Sequence, residues 1–131
     1  SDATLNPGGV RLGTAEIYSV VDKFKEIKES IVVGQDWDND VRIILFVVLI
    51  DKVKLDKILI NRLKIQIRKN ASPRHVPSKI IVVTDIPRTK NGKIVELSVK
   101  NVIDNRQVKN LEALVNPNVL EEYKNLSELS Y

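Results

Sequence analysis

The run Ile43-Ile44-Leu45-Phe46-Val47-Val48-Leu49-Ile50 is the longest apolar stretch of this chain. Its β-branched residues suit a pleated backbone, so Val41 to Ile50 reads as a strand. At eight residues it is far too short for the roughly 20 that a membrane-crossing helix needs. A second β-branched run, Ile31 to Gly34, precedes it. Between the two, Asp36-Trp37-Asp38-Asn39-Asp40 reads as a polar hairpin turn. The acids of this turn lack the spacing and terminal glutamate of a calcium loop. Trp37 is given no role.

The rest of the chain supplies partners for these strands. Thr4 to Arg11 reads as a short hairpin turned at Pro7-Gly8-Gly9, where glycines tolerate positive φ. Thr14 is placed to cap a helix from Ala15 to about Phe24, with Ile17, Val20, Val21 and Phe24 on one face. Leu55 to Lys69 is the strongest helix. Leu55, Leu59, Leu63 and Ile67 form an apolar stripe, and Lys57, Asn61, Lys64 and Arg68 a polar one. It stops before Ser72-Pro73 because proline disfavours helical backbone in the preceding residue. Lys79 to Thr84 is a third strand, continuously apolar over Ile80 to Val83 and therefore expected at the centre of the sheet. A loop over Pro87 to Lys93, a short strand at Ile94-Val95 and a helix from about Leu97 to Ile103 follow. From Asp104 the sequence turns polar, reading as an extended tail with a short helix near Val119 to Leu126. The order predicts a small α+β domain, an N-terminal β-hairpin plus a roughly three-stranded sheet packed with about three helices. Its expected limits are 1–103, with a C-terminal extension over 104–131.

With 131 residues, 43% hydrophobic and 29% charged, the chain has the size and composition of one soluble core. It contains no cysteine and one histidine, which excludes disulfides and argues against a zinc site; no metal site is expected. No charged leader with an apolar h-region is visible, so neither secretion nor membrane attachment is expected, and a cytoplasmic location is. The net charge of +4 is unevenly spread. Between Lys52 and Lys93 there are twelve Lys or Arg against two acids, Asp56 and Asp85. Such a segment draws anions toward its surface.

Two motifs give that field a target. Thr89-Lys90-Asn91-Gly92-Lys93-Ile94 sets a lysine on a glycine turn, in the pattern P-x-T-x-x-G-K. At the other end, Asp2 is followed nine residues later by Arg11 and then by Gly13-Thr14-Ala15-Glu16-Ile17. Together they resemble the C-terminal domain of the adenylate-forming (AMP-forming) acyl-CoA synthetases, a superfamily shared with luciferases and peptide-synthetase adenylation domains. Asp2 to Arg11, Ser72-Pro73-Arg74-His75-Val76-Pro77, and Val95-Glu96 after Gly92-Lys93 are most similar to its acetoacetyl-CoA synthetase branch. The resemblance covers roughly residues 1 to 120.

That resemblance implies a ligase joining an acid to CoA with ATP cleaved to AMP and pyrophosphate, and acetoacetate as the expected acid. ATP with magnesium and CoA are expected as substrates of a whole enzyme, with no cofactor bound by this domain alone. It further implies a large N-terminal domain of the same polypeptide as partner, so that these 131 residues by themselves are expected to be inactive. Lys93 takes the adenylation role, stabilising charge on the carboxylate and α-phosphate oxygens. Arg11 is expected on the phosphate of ATP or the adenylate, where a guanidinium forks onto two oxygens. Gly8 and Gly9 are expected to line the channel for the CoA thiol arm. Arg68 and Arg74 are expected on CoA phosphates, with His75 as a weaker candidate beside them. Asp2 matches a hinge about which the domain rotates between half-reactions.

A different class of protein also has a positive face. A small basic nucleic-acid-binding domain would use residues 52 to 93. Only 5% of the residues are aromatic, and none interleave with the basic residues as stacking platforms. No recognition helix or RNA-binding motif is present, so nucleic acid is not an expected partner.

Overall fold

The computed structural model describes residues 4–131. Its elements follow in the order β1 (Thr4–Leu5), β2 (Leu12–Gly13), α1 (Ala15–Val21), β3 (Ile27–Trp37), β4 (Asp40–Leu49), α2 (Lys57–Asn70), β5 (Lys79–Val82) and α3 (Glu96–Ile103). Short 3-10 turns over Leu111–Ala113, Pro117–Tyr123 and Ser127–Leu129 complete the chain. The architecture is α+β: β1 and β2 pair antiparallel as a small hairpin, and three strands form the main sheet in the order β3-β4-β5. No helix among the described residues is long and apolar enough to cross a membrane.

β4 is the middle strand, antiparallel to β3 and parallel to β5. Successive side chains of a strand point to opposite faces, so its apolar run fills two cores. Ile44, Phe46 and Val48 meet Ile31, Val33, Val99 and Tyr123 on one side. Ile43, Leu45 and Val47 meet Val32, Ile17, Val21, Leu59, Leu63 and Ile67 on the other. The α2 stripe thus lies against the sheet, and Asp56 caps that helix by accepting from the Leu59 N–H at 2.9 Å. The β3–β4 turn needs only Asp38 and Asn39, both at positive φ, a conformation these residue types tolerate in a two-residue hairpin. Arg42 lays its guanidinium 3.8 Å above the Trp37 ring, which gives that aromatic a packing partner.

Several elements differ from their sequence reading. β3 starts at Ile27, because the polar Lys28-Glu29 pair hides four residues of strand from a search for apolar runs. α1 ends at Val21, with Phe24 packing from the turn beyond it, and Thr14 holds the N-cap position without a side-chain cap hydrogen bond. β5 lies at an edge, not at the centre: its apolar continuity reflects cover on both faces by Ile80 and Ile81, while Val82 is 50% exposed. The strand expected at Ile94-Val95 is a single bridge from Ile94 to Arg88.

The largest difference concerns the segment after Asp104. It is not an extended tail. Leu114, Leu120, Tyr123 and Leu129 enter the core beneath the sheet, and Tyr123 is fully buried. The Tyr123 ring meets Phe46 edge to face at 4.9 Å, and its hydroxyl donates to the Asp85 carbonyl at 2.7 Å. Only Leu120 and Tyr123 share a helical spacing, within the short helix expected near Val119 to Leu126, and Leu114 and Leu129 fall outside any period, so patterning does not mark the segment as core.

The outer edge of β3 is closed by side chains in place of a fourth strand. The Val32 N–H donates to Tyr18 Oη at 2.9 Å, and the Tyr18 hydroxyl donates on to Glu96 Oε2 at 2.9 Å. Lys100 Nζ donates to the Gly34 carbonyl at 2.7 Å, and the Asp36 N–H donates to Asp104 Oδ1 at 3.0 Å. A hydrogen bond from Lys100 also holds the Asp36 carboxyl below the usual range, with Arg106 adding to the effect. Tyr18 thereby ties α1, on one face, to the first turn of α3, on the other.

Burial pushes the Tyr18 phenol well above its ordinary value, and the Glu96 carboxylate adds in the same direction; burial does the same to Tyr123. A folded pKa above the unfolded value of about 10 stabilises fully below that pH, and the contribution is lost as pH rises further. The urea midpoint of the chain should therefore decline above about pH 10. Tyr18→Phe should cost about 1–3 kcal/mol near neutrality, through the stranded Val32 N–H, and should flatten part of the alkaline decline. A variant whose alkaline slope matches the parent's would show that Tyr18 is not held in this way.

Candidate functional site

The lysine loop is a tight hairpin. The Gly92 N–H donates to the Thr89 carbonyl at 2.9 Å, closing a four-residue turn, and Gly92 takes φ +83°, which a side chain would strain. The Thr89 N–H donates to the Lys93 carbonyl at 2.9 Å, and the Lys93 N–H donates to Thr89 Oγ1 at 3.2 Å. Backbone on both sides of Lys93 is fixed, while the side chain itself is exposed. Its ammonium therefore stands at the end of a braced loop with no cover.

Lys93 borders an open groove of about 860 Å³ between the loop and α1. Tyr18, Ser19 and Asp22 line the α1 side, and Lys28, Arg88 and Glu96 stand around the rest. Arg88 is committed elsewhere, forming ion pairs with Glu29 and Asp85. The groove has two exposed lysines, Lys28 and Lys93, on its border, with the carboxylates of Asp22, Glu29 and Glu96 among its lining, and it is open rather than enclosing.

The glycine turn forms a second surface. Pro7–Gly9 makes a 3-10 turn between β1 and β2, with Gly8 at φ +61° and Gly9 at φ +76°. Asp40, at the start of β4, pins it by accepting from the Gly8 N–H at 2.9 Å. On its other side stands Arg74: a Cβ added to Gly8 would lie 3.9 Å from the Arg74 guanidinium, and one added to Gly9 would meet nothing. The turn carrying Arg74 is set by Ser72 and His75, hydrogen bonded through Oγ and Nδ1 at 2.6 Å. His75 Nε2 lies 3.8 Å from Glu16 Oε2, in the first turn of α1. His75 is therefore spoken for locally, which is a positional role.

The structure thus brings Gly8, Gly9 and Arg74 together and sets Lys93 apart, since the groove beside Lys93 is lined by none of them. Arg68 is exposed on the last turn of α2, just before the Ser72–His75 turn, and Arg11 is exposed at the entry to β2. Among the described residues the side chains of Arg11, Arg68, Arg74 and Lys93 make no hydrogen bond or ion pair, so all four remain open to a ligand. Asp2 lies outside the described residues. Sequence reasoning missed Asp40 and Tyr18, whose roles depend on contacts over long sequence separations. It also missed Asn116, whose one visible signal is the turn-forming Asn116-Pro117 pair.

Comparison with known proteins gives the family of this fold. The family model described as AMP-binding enzyme C-terminal domain matches residues 16–93. An acetoacetyl-coenzyme A synthetase of Rhizobium meliloti (strain 1021) is 58% identical over 98% of this chain, and an acetoacetyl-CoA synthetase of Xenopus tropicalis is 46% identical over 98%. The chain spans only 20% and 19% of their lengths. The solved structure of acetoacetyl-CoA synthetase from Streptomyces lividans superposes with a TM-score of 0.83 at 38% identity, covering 93% of this chain and 18% of that one. None of these lends support to a nucleic-acid-binding reading. A family model covering 16–93 of 131 residues, together with a matching fold, shows that the chain belongs to the AMP-binding enzyme C-terminal domain family.

Proposed function

We propose that the chain is the mobile C-terminal lid of a cytoplasmic AMP-forming ligase that joins acetoacetate to CoA. In the first half-reaction the acid carboxylate attacks the α-phosphate of ATP, giving an acyl-adenylate and releasing pyrophosphate. In the second, the CoA thiol displaces AMP and the thioester forms. Residues 1–103 are the lid, and 104–131 an extension folded onto it. The remaining partner is the N-terminal domain of the same polypeptide, which would supply the acyl pocket and most of the ATP site. Without it these residues catalyse nothing.

The observation that carries this reading is the separation of two anion-facing surfaces. Lys93 stands on a braced loop beside α1, whereas Gly8, Gly9 and Arg74 gather at the glycine turn. A lid that turns about its hinge at Asp2 would present the first surface for adenylation and the second for thioester formation. Lys93 would stabilise charge on the carboxylate and α-phosphate oxygens as they approach. Arg11 would hold the nucleotide phosphate. The thin Gly8-Gly9 backbone would admit the CoA thiol arm, with Arg74 and Arg68 on its phosphates. Magnesium enters only with ATP, as counter-ion to its phosphates. Among the described residues no group of three or more His, Cys, Asp or Glu is placed to hold a metal.

In the whole enzyme, Lys93→Ala should lower the rate of adenylation by about 10²- to 10³-fold, while thioester formation from supplied acyl-adenylate stays near the parent's. The half-reactions are measured separately, by pyrophosphate release and by CoA consumption. Equal losses in both would mean that Lys93 is merely structural.

Arg68 makes the reading of the second surface testable. Arg68→Ala should raise KM for CoA and leave KM for ATP little changed, because a lost charge-assisted phosphate contact is worth about 1.5–3 kcal/mol. Comparing CoA with dephospho-CoA, which lacks the 3′-phosphate, decides the matter. If the variant discriminates between them as well as the parent does, Arg68 is not reading that phosphate.

A further inference from the structure

The base of the lysine loop is a three-stranded arrangement too small to count as a sheet. Pro87 to Thr89 runs down its middle. On one side Arg88 bridges to Ile94, and the Val95 N–H donates to the Pro87 carbonyl at 3.3 Å. On the other side Thr89 bridges to Leu114, and the Val115 N–H donates to the Arg88 carbonyl at 2.9 Å. The backbone that carries Lys93 therefore leans on residues more than twenty positions further along the chain.

One side chain locks this junction. Asn116 accepts from the Arg88 N–H at 2.9 Å and donates to the Ile86 carbonyl at 2.9 Å and to Asp85 Oδ2 at 3.3 Å. A single amide thus serves one donor and two acceptors within the four residues Asp85 to Arg88 that lead into the loop. Its neighbours are anchored in turn: Leu114 and Leu120 are buried, and Glu122 accepts from the Thr84 N–H at 2.9 Å. Only an amide does this, because a carboxylate has no donor and an alcohol cannot reach both ways.

We propose that Asn116 is a positioning residue for Lys93: it fixes the direction of the strand from which the loop springs, so that the ammonium arrives where the adenylating phosphate requires it. The inference rests on Lys93 being the adenylation lysine. Lys93 touches the reacting atoms, and Asn116 acts through it. Misplacing a charged group by about 1 Å costs as much as 10²-fold in rate, so the alignment of a residue far from the chemistry has kinetic weight.

The test uses the whole enzyme and two readouts. In Asn116→Ala, hydrogen exchange at the Thr89 and Gly92 amides should quicken while the β3–β4 amides keep their protection. Adenylation should fall by about tenfold to a hundredfold, and thioester formation from supplied acyl-adenylate should hold. Asn116→Asp is the second variant, in case the alanine form folds poorly. It keeps the acceptor for Arg88 but sets a carboxylate against Asp85, so adenylation should drop, and adding Asp85→Asn should recover part of the loss by restoring that hydrogen bond with reversed polarity. Unchanged loop exchange overturns the proposal, as do equal losses in both half-reactions or no recovery in the double variant. If Lys93→Ala itself leaves adenylation intact, the reading of Lys93 has failed, and the exchange comparison still decides whether Asn116 holds the loop.

Discussion

Burial of β4 on both faces is the constraint from which the rest of the structure follows. A strand that offers Ile43, Leu45 and Val47 to one side and Ile44, Phe46 and Val48 to the other needs two covering layers. α1 and α2 supply the first. α3 alone is too short for the second, at eight residues, and the irregular segment after Asp104 completes it with Leu114, Leu120, Tyr123 and Leu129. The same segment then lies within reach of the lysine loop. Support of the loop is thus a by-product of covering the sheet.

Two covering layers leave the edges of a three-stranded sheet open, and β3 is long, apolar and exposed to that hazard. Tyr18, Lys100 and Asp104 answer it with hydrogen bonds to the backbone of Val32, Gly34 and Asp36. Because these residues belong to α1, to α3 and to the turn after α3, closing the edge also clamps the layers to one another. The Lys93 groove opens beside that clamp, bordered by Tyr18 and Glu96. A loop tip can remain exposed and adaptable there because its surroundings are fixed.

What was legible in the sequence was whatever announces itself locally. Leu59, Leu63 and Ile67 declare a buried helix face by spacing, and they lie in the core. Pro7-Gly8-Gly9 and Asn91-Gly92 declare turns by composition, and each glycine concerned takes positive φ. Lys93 and Arg11 stand out through motifs of fixed spacing, and both prove exposed. The misses have the opposite character. Strand order depends on which β-branched run finds which partner, so Ile80 to Val83 gave no sign that β5 would lie at an edge. Tyr123 sits in polar company, and no period marks it as the ring that meets Phe46 across 77 positions. Asn116 and Asp40 act through hydrogen bonds to groups distant in sequence, a role that any exposed turn residue of the same type would share on paper.

The proposed division of labour between the two surfaces has a physical rationale. A single cationic pocket holding every basic residue would attract ATP and CoA alike, and the field alone would not tell one polyphosphate from another. Under that proposal, separating Lys93 from the Gly8-Gly9-Arg74 cluster would make the discrimination geometric. The lysine contributes a long flexible ammonium, useful where charge must be met as it develops. The glycine turn contributes thin backbone with a guanidinium beside it, useful where a narrow chain ending in phosphate must pass closely. Neither surface encloses a ligand, and neither needs to. Each has only to complete a site whose remaining walls would come from another domain, which is why a rigid mounting matters more here than a deep pocket.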